Sequence, residues 1–254
     1  MGDVVGLLHP GEMGAAIGAV LRQRGSHVLW SSSGRSEATA ARAKAAGLTD
    51  VGSIGELAQR AEVILSVCPP HAARDVASGV GAFGGVFVDA NAIAPATVRE
   101  LAGGFEHFVD GGIVGPPPRD TPTHLYLSGR DAERIADLFT GTTVDTRIVS
   151  GEIGAASAVK ATYAAWTKGS AALLLAIRDV AGAEGVSEAL FAEWRESIPG
   201  LEERLAGAER SARGKGWRWV GEMEEIAAAF AAAGSPAGFH RAAADVFRRY
   251  ERMF

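Results

Sequence analysis

Through residue 150 the chain alternates short β-branched runs with alanine-rich stretches of helical period. The runs lie at 4–8, 27–30, 63–67, 86–88, 107–109, 125–127 and 143–149, and the helical stretches include 15–24, 36–46 and 95–102. Strand and helix in alternation imply right-handed crossovers, so the pattern predicts an α/β, Rossmann-type doubly wound parallel sheet covered on both faces. Beyond Gly151 the strand-like runs stop. Residues 153–184 read as one long helix without proline, closed by Gly185. Further helices are expected at 188–196, 201–210 and 222–233, with a last one opened by Ser235 as N-cap and Pro236 at its first position. In that last helix Phe239, Ala243, Val246, Phe247, Tyr250 and Phe254 form one apolar stripe. The expected organisation is therefore a domain of residues 1–150 and an all-helical domain of residues 151–254.

Composition removes several classes of function. The chain has 254 residues, 47% of them hydrophobic, enough for a substantial core and too apolar for disorder. Residues 1–150 hold 12 Lys and Arg against 16 Asp and Glu, and the remainder holds 13 against 14, so neither part offers the basic surface that nucleic acid demands. Cys68 is the single cysteine and the histidines are scattered, which excludes a disulfide framework and gives no metal-ligand spacing. The short apolar start lacks a basic leader, and 171–176 is stopped by Arg178 and Asp179, far short of a membrane span of about 18 residues. A cytoplasmic protein that binds neither membrane nor metal is expected.

Directly after the first run comes His9-Pro10-Gly11-Glu12-Met13-Gly14 and then a helix. Glycines there let backbone approach a pyrophosphate, and the free N–H groups of the helix start receive its charge. The first glycine of G-x-G-x-x-G is replaced by His9, and such turns also arise for packing alone. The second run ends in Ser31-Ser32-Ser33-Gly34-Arg35, where an acid would bind the ribose 2′-hydroxyl of NAD. Hydroxyls and a guanidinium suit a 2′-phosphate instead, so NADP(H) is the expected cofactor, the alternative being a polar loop with a solvated arginine.

These segments, taken with four others in the same order, resemble the β-hydroxyacid dehydrogenase family, relatives of 6-phosphogluconate dehydrogenase. The others are Leu65-Ser66-Val67-Cys68-Pro69-Pro70, Asp89-Ala90-Asn91-Ala92-Ile93-Ala94-Pro95, Asp110-Gly111-Gly112-Ile113-Val114-Gly115 and Gly154-Ala155-Ala156-Ser157-Ala158-Val159-Lys160-Ala161-Thr162-Tyr163-Ala164. The resemblance implies that Cys68, Pro69, Pro70 and Asn91 face the cofactor, that Asp110 to Gly115 form a substrate loop, and that Lys160 is catalytic. The family's substrate-binding Ser and Asn fall at Val114 and Ala164, and its downstream Lys-Asp pair at Glu222-Met223. Val114, Gly115, Tyr163 and Ala164 are accordingly the candidate substrate contacts of an altered pocket. Trp217-Arg218-Trp219-Val220-Gly221-Glu222-Met223 resembles a divergent branch whose helical C-terminal domain has no assigned substrate.

Lys160 is the only charge between Glu152 and Lys168, on a helix face of small residues. Desolvation there disfavours the ammonium and makes it usable for proton transfer, the alternative being a lysine that snorkels from a surface helix. The expected activity is NADP(H)-dependent oxidoreduction of a small hydroxy acid or carbonyl held in an interdomain cleft. An imine reductase-like enzyme, kept open by Tyr163, and a non-catalytic NADP(H) sensor, suggested by Val114, Ala164 and Glu222, are the alternatives. Residues 211–219 are expected to form a loop that closes over the site or is solvated, and Cys68 to be a packed thiol. The long helix carries Trp166, Leu173, Leu174, Leu175, Ile177 and Val180, more apolar surface than a small helical domain covers alone, and this predicts a homodimer through the helical domain.

Overall fold

Each β-branched run of the N-terminal part is a strand in the computed structural model, which describes residues 2–119, 121–149 and 152–250. The chain divides into two units, Met1–Lys160 and Ala161–Phe254. The first is built from β1 (Val4–Leu8), α1 (Glu12–Arg24), β2 (His27–Trp30), α2 (Glu37–Ala45), β3 (Thr49–Asp50), α3 (Ile54–Arg60), β4 (Val63–Ser66), a 3-10 turn at Pro70–Ala72, α4 (Ala73–Ser78), β5 (Val86–Asp89), α5 (Pro95–Ala102), β6 (His107–Val114), β7 (Thr123–Ser128), α6 (Ala132–Asp137) and β8 (Val144–Ile148). Its sheet runs β3-β2-β1-β4-β5-β6-β7-β8. Strand order reverses between β1 and β4, which makes a crevice at their carboxyl ends the expected place for a ligand.

The sheet departs from the expected all-parallel arrangement at one pair, because β7 runs antiparallel to β6. Only residues 115–122 connect them, and so short a link cannot make the crossover that a parallel pair needs. The segment from Asp110 to Val114, expected as a loop, is the second half of β6. Gly112 is there because a helix backbone comes close: a Cβ on it would fall 2.5 Å from the Ala156 carbonyl oxygen.

Alternate residues of each central strand feed cores on the two faces of the sheet. Val5 and Leu7 pack with Ile17, Val20 and Leu21 of α1. Leu8, Ile64 and Phe87 pack on the other face with Leu57 and Val98, and Phe87 stacks on Phe105 with ring centroids 4.1 Å apart.

Helix α7 (Ala155–Ala183) begins in the first unit and continues into the second, where α8 (Ser187–Ser197), α9 (Leu201–Ala232) and α10 (Gly238–Arg248) follow. Leu175, Trp194, Leu205, Met223, Ile226 and Phe247 form the helical core. Helix α9 is one 32-residue helix rather than two helices and a loop, so residues 211–219 are helical and no loop closes there. Gly214 and Gly216 each cost about 1 kcal/mol inside a helix, and packing overrides that. A Cβ on Gly216 would come within 2.9 Å of Tyr250 Cβ, so that glycine admits a close helix neighbour.

Helix α10 starts three residues later than Ser235. Gly234, at φ 72°, ends α9, with its N–H donating to the Ala231 carbonyl and that of Ser235 to the Phe230 carbonyl. Ser235 is thus part of the α9 C-terminal closure, and Ala237 caps α10. The shift turns Phe239 outward, 79% exposed, while His240, Ala243, Ala244 and Phe247 are buried. Phe254 lies outside the described residues. Among the described residues no helix is long and apolar enough to cross a membrane.

Candidate functional site

Four groups of candidate residues lie at or beyond the carboxyl ends of β1, β2, β4, β5 and β6. At the first, the chain leaves β1 through His9, whose φ of 65° makes it the one non-glycine residue with positive φ among the described residues. Its carbonyl accepts from the Gly11 N–H at 2.7 Å, closing a tight turn around Pro10. Gly14 allows α1 to approach this turn, since a Cβ there would sit 2.9 Å from the His9 carbonyl oxygen. Gly11 is different. A Cβ at this N-cap position would meet only His9 Cδ2, at an ordinary 3.7 Å, so the protein's own packing does not require glycine. Open space beside the free N–H groups of a helix start fits a pyrophosphate, with Glu12 exposed and Met13 turned partly into the core.

The loop after β2 divides its three serines. Ser31 is buried and donates to the Gly52 carbonyl at 3.0 Å, whereas Ser32 and Ser33 lie toward the surface. Arg35 reaches back to the first turn and donates from Nη1 to His9 Nδ1 at 2.8 Å. Two neighbours were not legible as site residues. Arg42 of α2 donates from Nε to the Pro10 carbonyl at 3.4 Å and from Nη2 to Thr39 Oγ1 at 3.1 Å. Asp50, at the end of β3, accepts from the N–H groups of Ser32 and Gly52 at 3.2 and 2.8 Å. Burial works against its charge, yet these hydrogen bonds outweigh burial and hold its carboxyl below the usual range. The acid missing from the end of β2 therefore stands on the neighbouring strand, spent on shaping the loop.

After β4, the Cys68 N–H donates to Asn91 Oδ1 at 2.5 Å. The Asn91 amide donates in turn to Ser66 Oγ at 3.1 Å and Asp89 Oδ2 at 2.8 Å, and its backbone N–H donates to Asp89 Oδ1. Asn91 is thereby committed to pinning the Cys68-Pro69-Pro70 segment. Burial pushes the Cys68 thiol up to about 11, so it is a packed thiol and not a ready nucleophile. Burial, with a further contribution from the nearby Asp110, pushes the Asp89 carboxyl up to about 7 against the hydrogen bonds from Asn91.

At β6 the fully buried Asp110 anchors the start of α7. Its Oδ2 accepts from Ser128 Oγ at 2.9 Å and from the N–H groups of Gly154 and Ser157 at 3.0 Å, and its Oδ1 accepts from Ser157 Oγ at 2.5 Å. Ser128 Oγ also accepts from the Ala156 N–H at 3.1 Å. A carboxylate from a strand thus caps a helix that has no acid of its own in the first turn. One turn further on, Lys160 is half-buried, and a Cβ on Gly112 would lie 3.2 Å from Lys160 Cβ. Val114 is buried at the end of β6, and Gly115 turns the chain at φ 123°. Further along α7, Tyr163 is exposed and Ala164 belongs to the helical core. In that unit Glu222 is paired with Lys168, and Met223 is fully buried. Ser128, Ser157, Arg42 and Asp50 escaped sequence reasoning because each works through hydrogen bonds to residues distant in sequence.

Residues 4–92 match the family described as NADP oxidoreductase, coenzyme F420-dependent, and residues 181–250 match a domain of unknown function, DUF1932. An uncharacterised 28.5 kDa protein from a 7S RNA 5′ region of Methanothermus fervidus is 29% identical over 161 residues, 62% of this chain, and the match spans 63% of that relative's length. A conserved protein of unknown function, described as structurally similar to 3-hydroxyacid dehydrogenases, is 28% identical with TM-score 0.73, covering 98% of this chain and 96% of its own. The 3-hydroxyisobutyrate dehydrogenase of Mycobacterium tuberculosis, solved with L-serine, has TM-score 0.74 over 98% and 94% of the two chains. At 17% identity that likeness is one of fold. The first unit thus matches an NADP oxidoreductase family model over part of its length, the second matches DUF1932 over part of its own, and the fold is similar to that of the 3-hydroxyacid dehydrogenases.

Proposed function

We propose that the chain is an NADP(H)-dependent oxidoreductase acting on a small hydroxy-acid or carbonyl substrate. The observation that carries this reading is the alignment of a glycine turn, an arginine-bearing loop and the β6–α7 junction along the carboxyl ends of neighbouring strands. His9, Pro10, Gly11, Glu12, Met13 and Gly14 would hold the pyrophosphate, and Ser32, Ser33 and Arg35 the 2′-phosphate. The segment Cys68-Pro69-Pro70, held by Asn91, forms the next wall. When bound, the nicotinamide supplies or accepts the hydride. Lys160 holds a proton at Nζ, gives it to the substrate oxygen when a carbonyl is reduced, and takes it back when the alcohol is oxidised. Asp110 fixes the first turn of α7 and with it the place of Lys160 on β6. Of the candidate substrate residues, Val114 is buried in the first unit and Ala164 packs in the helical core of the second, so neither offers the hydroxyl or carboxamide of the resembling family, and Gly115 and Tyr163 are left as candidate contacts, each in its own unit.

A screen of small acids, aldehydes, ketones and cyclic imines, followed at the nicotinamide absorbance, tests the reading. Consumption of NADPH with a carbonyl, or its formation with a hydroxy acid, is the expected result. Turnover with imines alone, or with no compound, would overturn it.

A further inference from the structure

His9 occupies the position in the turn where glycine costs least. A side chain at φ 65° is strained by about 1 kcal/mol or more, and the proline that follows restricts the residue further. The backbone does not need the imidazole, because the turn is closed by the Gly11 N–H on the His9 carbonyl and by the close approach of Gly14. What the side chain does is accept from Arg35. A guanidinium has donors only, so the 2.8 Å contact requires a lone pair on Nδ1, which fixes His9 as the neutral tautomer protonated at Nε2.

We infer that His9 is a specificity-determining residue: it holds the Arg35 guanidinium at the glycine turn and thereby sets the preference for NADP(H) over NAD(H). Arg35 projects from a loop of serines and a glycine at φ 69°. A long side chain on such a loop loses much of its electrostatic value to rotamer freedom unless something fixes it. The imidazole supplies that fixation, so the strain at His9 is exchanged for a positioned charge. The inference rests on the NADP(H) reading of the site and goes beyond it, because it places the selectivity in the turn as well as in the loop.

Equilibrium titration of NADPH and NADH against the parent, His9→Gly, His9→Asn and Arg35→Ala proteins, with melting curves alongside, tests it. Asparagine tolerates positive φ and carries an acceptor at the position of Nδ1. The parent should prefer NADPH. His9→Gly should lose about tenfold of that preference, chiefly by weaker NADPH binding, while melting no lower than the parent. His9→Asn should keep the preference within about threefold, and adding His9→Gly to Arg35→Ala should change it no further. A parent that prefers NADPH while His9→Gly keeps the full preference would overturn the role of His9 and leave the cofactor reading standing. A parent that binds neither nucleotide, or prefers NADH, would overturn both.

Discussion

Replacing Asp110 separates its function as a hydrogen-bond acceptor from its volume. In Asp110→Ala the buried N–H groups of Gly154 and Ser157 lose their acceptor, and backbone groups held in a helix start cannot turn elsewhere. Each costs about 1–3 kcal/mol when stranded, whereas the hydroxyls of Ser128 and Ser157 can rotate to other partners. The expected loss is about 4 kcal/mol. In Asp110→Asn the carboxamide oxygen at the Oδ2 position keeps three of the four bonds, and the new amide can donate to a Ser157 hydroxyl that turns its own proton away. Only the charge assistance is lost, about 1–2 kcal/mol. For a unit of 160 residues, about 2–4 °C per kcal/mol gives a melting decrease of roughly 8–16 °C for Asp110→Ala and a few degrees for Asp110→Asn. Scanning calorimetry of the purified variants measures both. An Asp110→Ala protein within about 1 kcal/mol of the parent, or an Asp110→Asn protein as unstable as Asp110→Ala, would refute the capping argument.

With its thiol pushed up to about 11, Cys68 should react with Ellman's reagent at pH 8 at least about tenfold more slowly than an ordinary exposed thiol, and equal rates would contradict the packed environment. The two units should answer pH in opposite senses. Asp89 holds its proton to about pH 7 when folded but releases it near 4 when unfolded, so the first unit loses stability as pH rises between those values, and Asp89→Asn should flatten the slope. His240 is 7% exposed, its Nδ1 has no hydrogen-bond partner among the described residues, and burial lowers its pKa, so the helical unit should lose stability as pH falls below about 6.5. His240→Phe should remove that loss, and an acid limb unchanged by the substitution would sink the assignment. Trp166, at 70% exposed, with Leu173 and Val180, should join two copies of the chain. Light scattering should give a dimer that Trp166→Lys dissociates, and a monomeric parent at micromolar concentration would refute it.

Periodicity placed the strands of the sheet within a few residues because buried strands leave little choice of residue type. It missed β3, whose two residues carry no pattern, and it read the antiparallel β7 as parallel because strand direction is set by the length of the connecting segment. The Ser211 to Trp219 segment misled for a related reason: glycines at 214 and 216 are locally unfavourable in a helix, and the packing against Tyr250 that overrides them is invisible in sequence. In the proposed site, the glycine turn stands out by its glycine spacing, and Lys160 by the resemblance of its helix pattern. The hydrogen-bond partners that fix them do not: Asp110 reaches residues 44 and 47 positions away, and Asp50 serves a loop 18 positions earlier.

The proton-transfer role of Lys160 is the step on which the enzymatic reading turns. Lys160→Met preserves the length and apolar stem of the side chain while removing the proton, so turnover of the best carbonyl substrate by NADPH should fall by roughly 10²–10⁴-fold. NADPH affinity, titrated on the same samples, should stay within a few fold of the parent. A Lys160→Met protein that retains most of the parent's turnover at unchanged NADPH affinity would contradict the assignment.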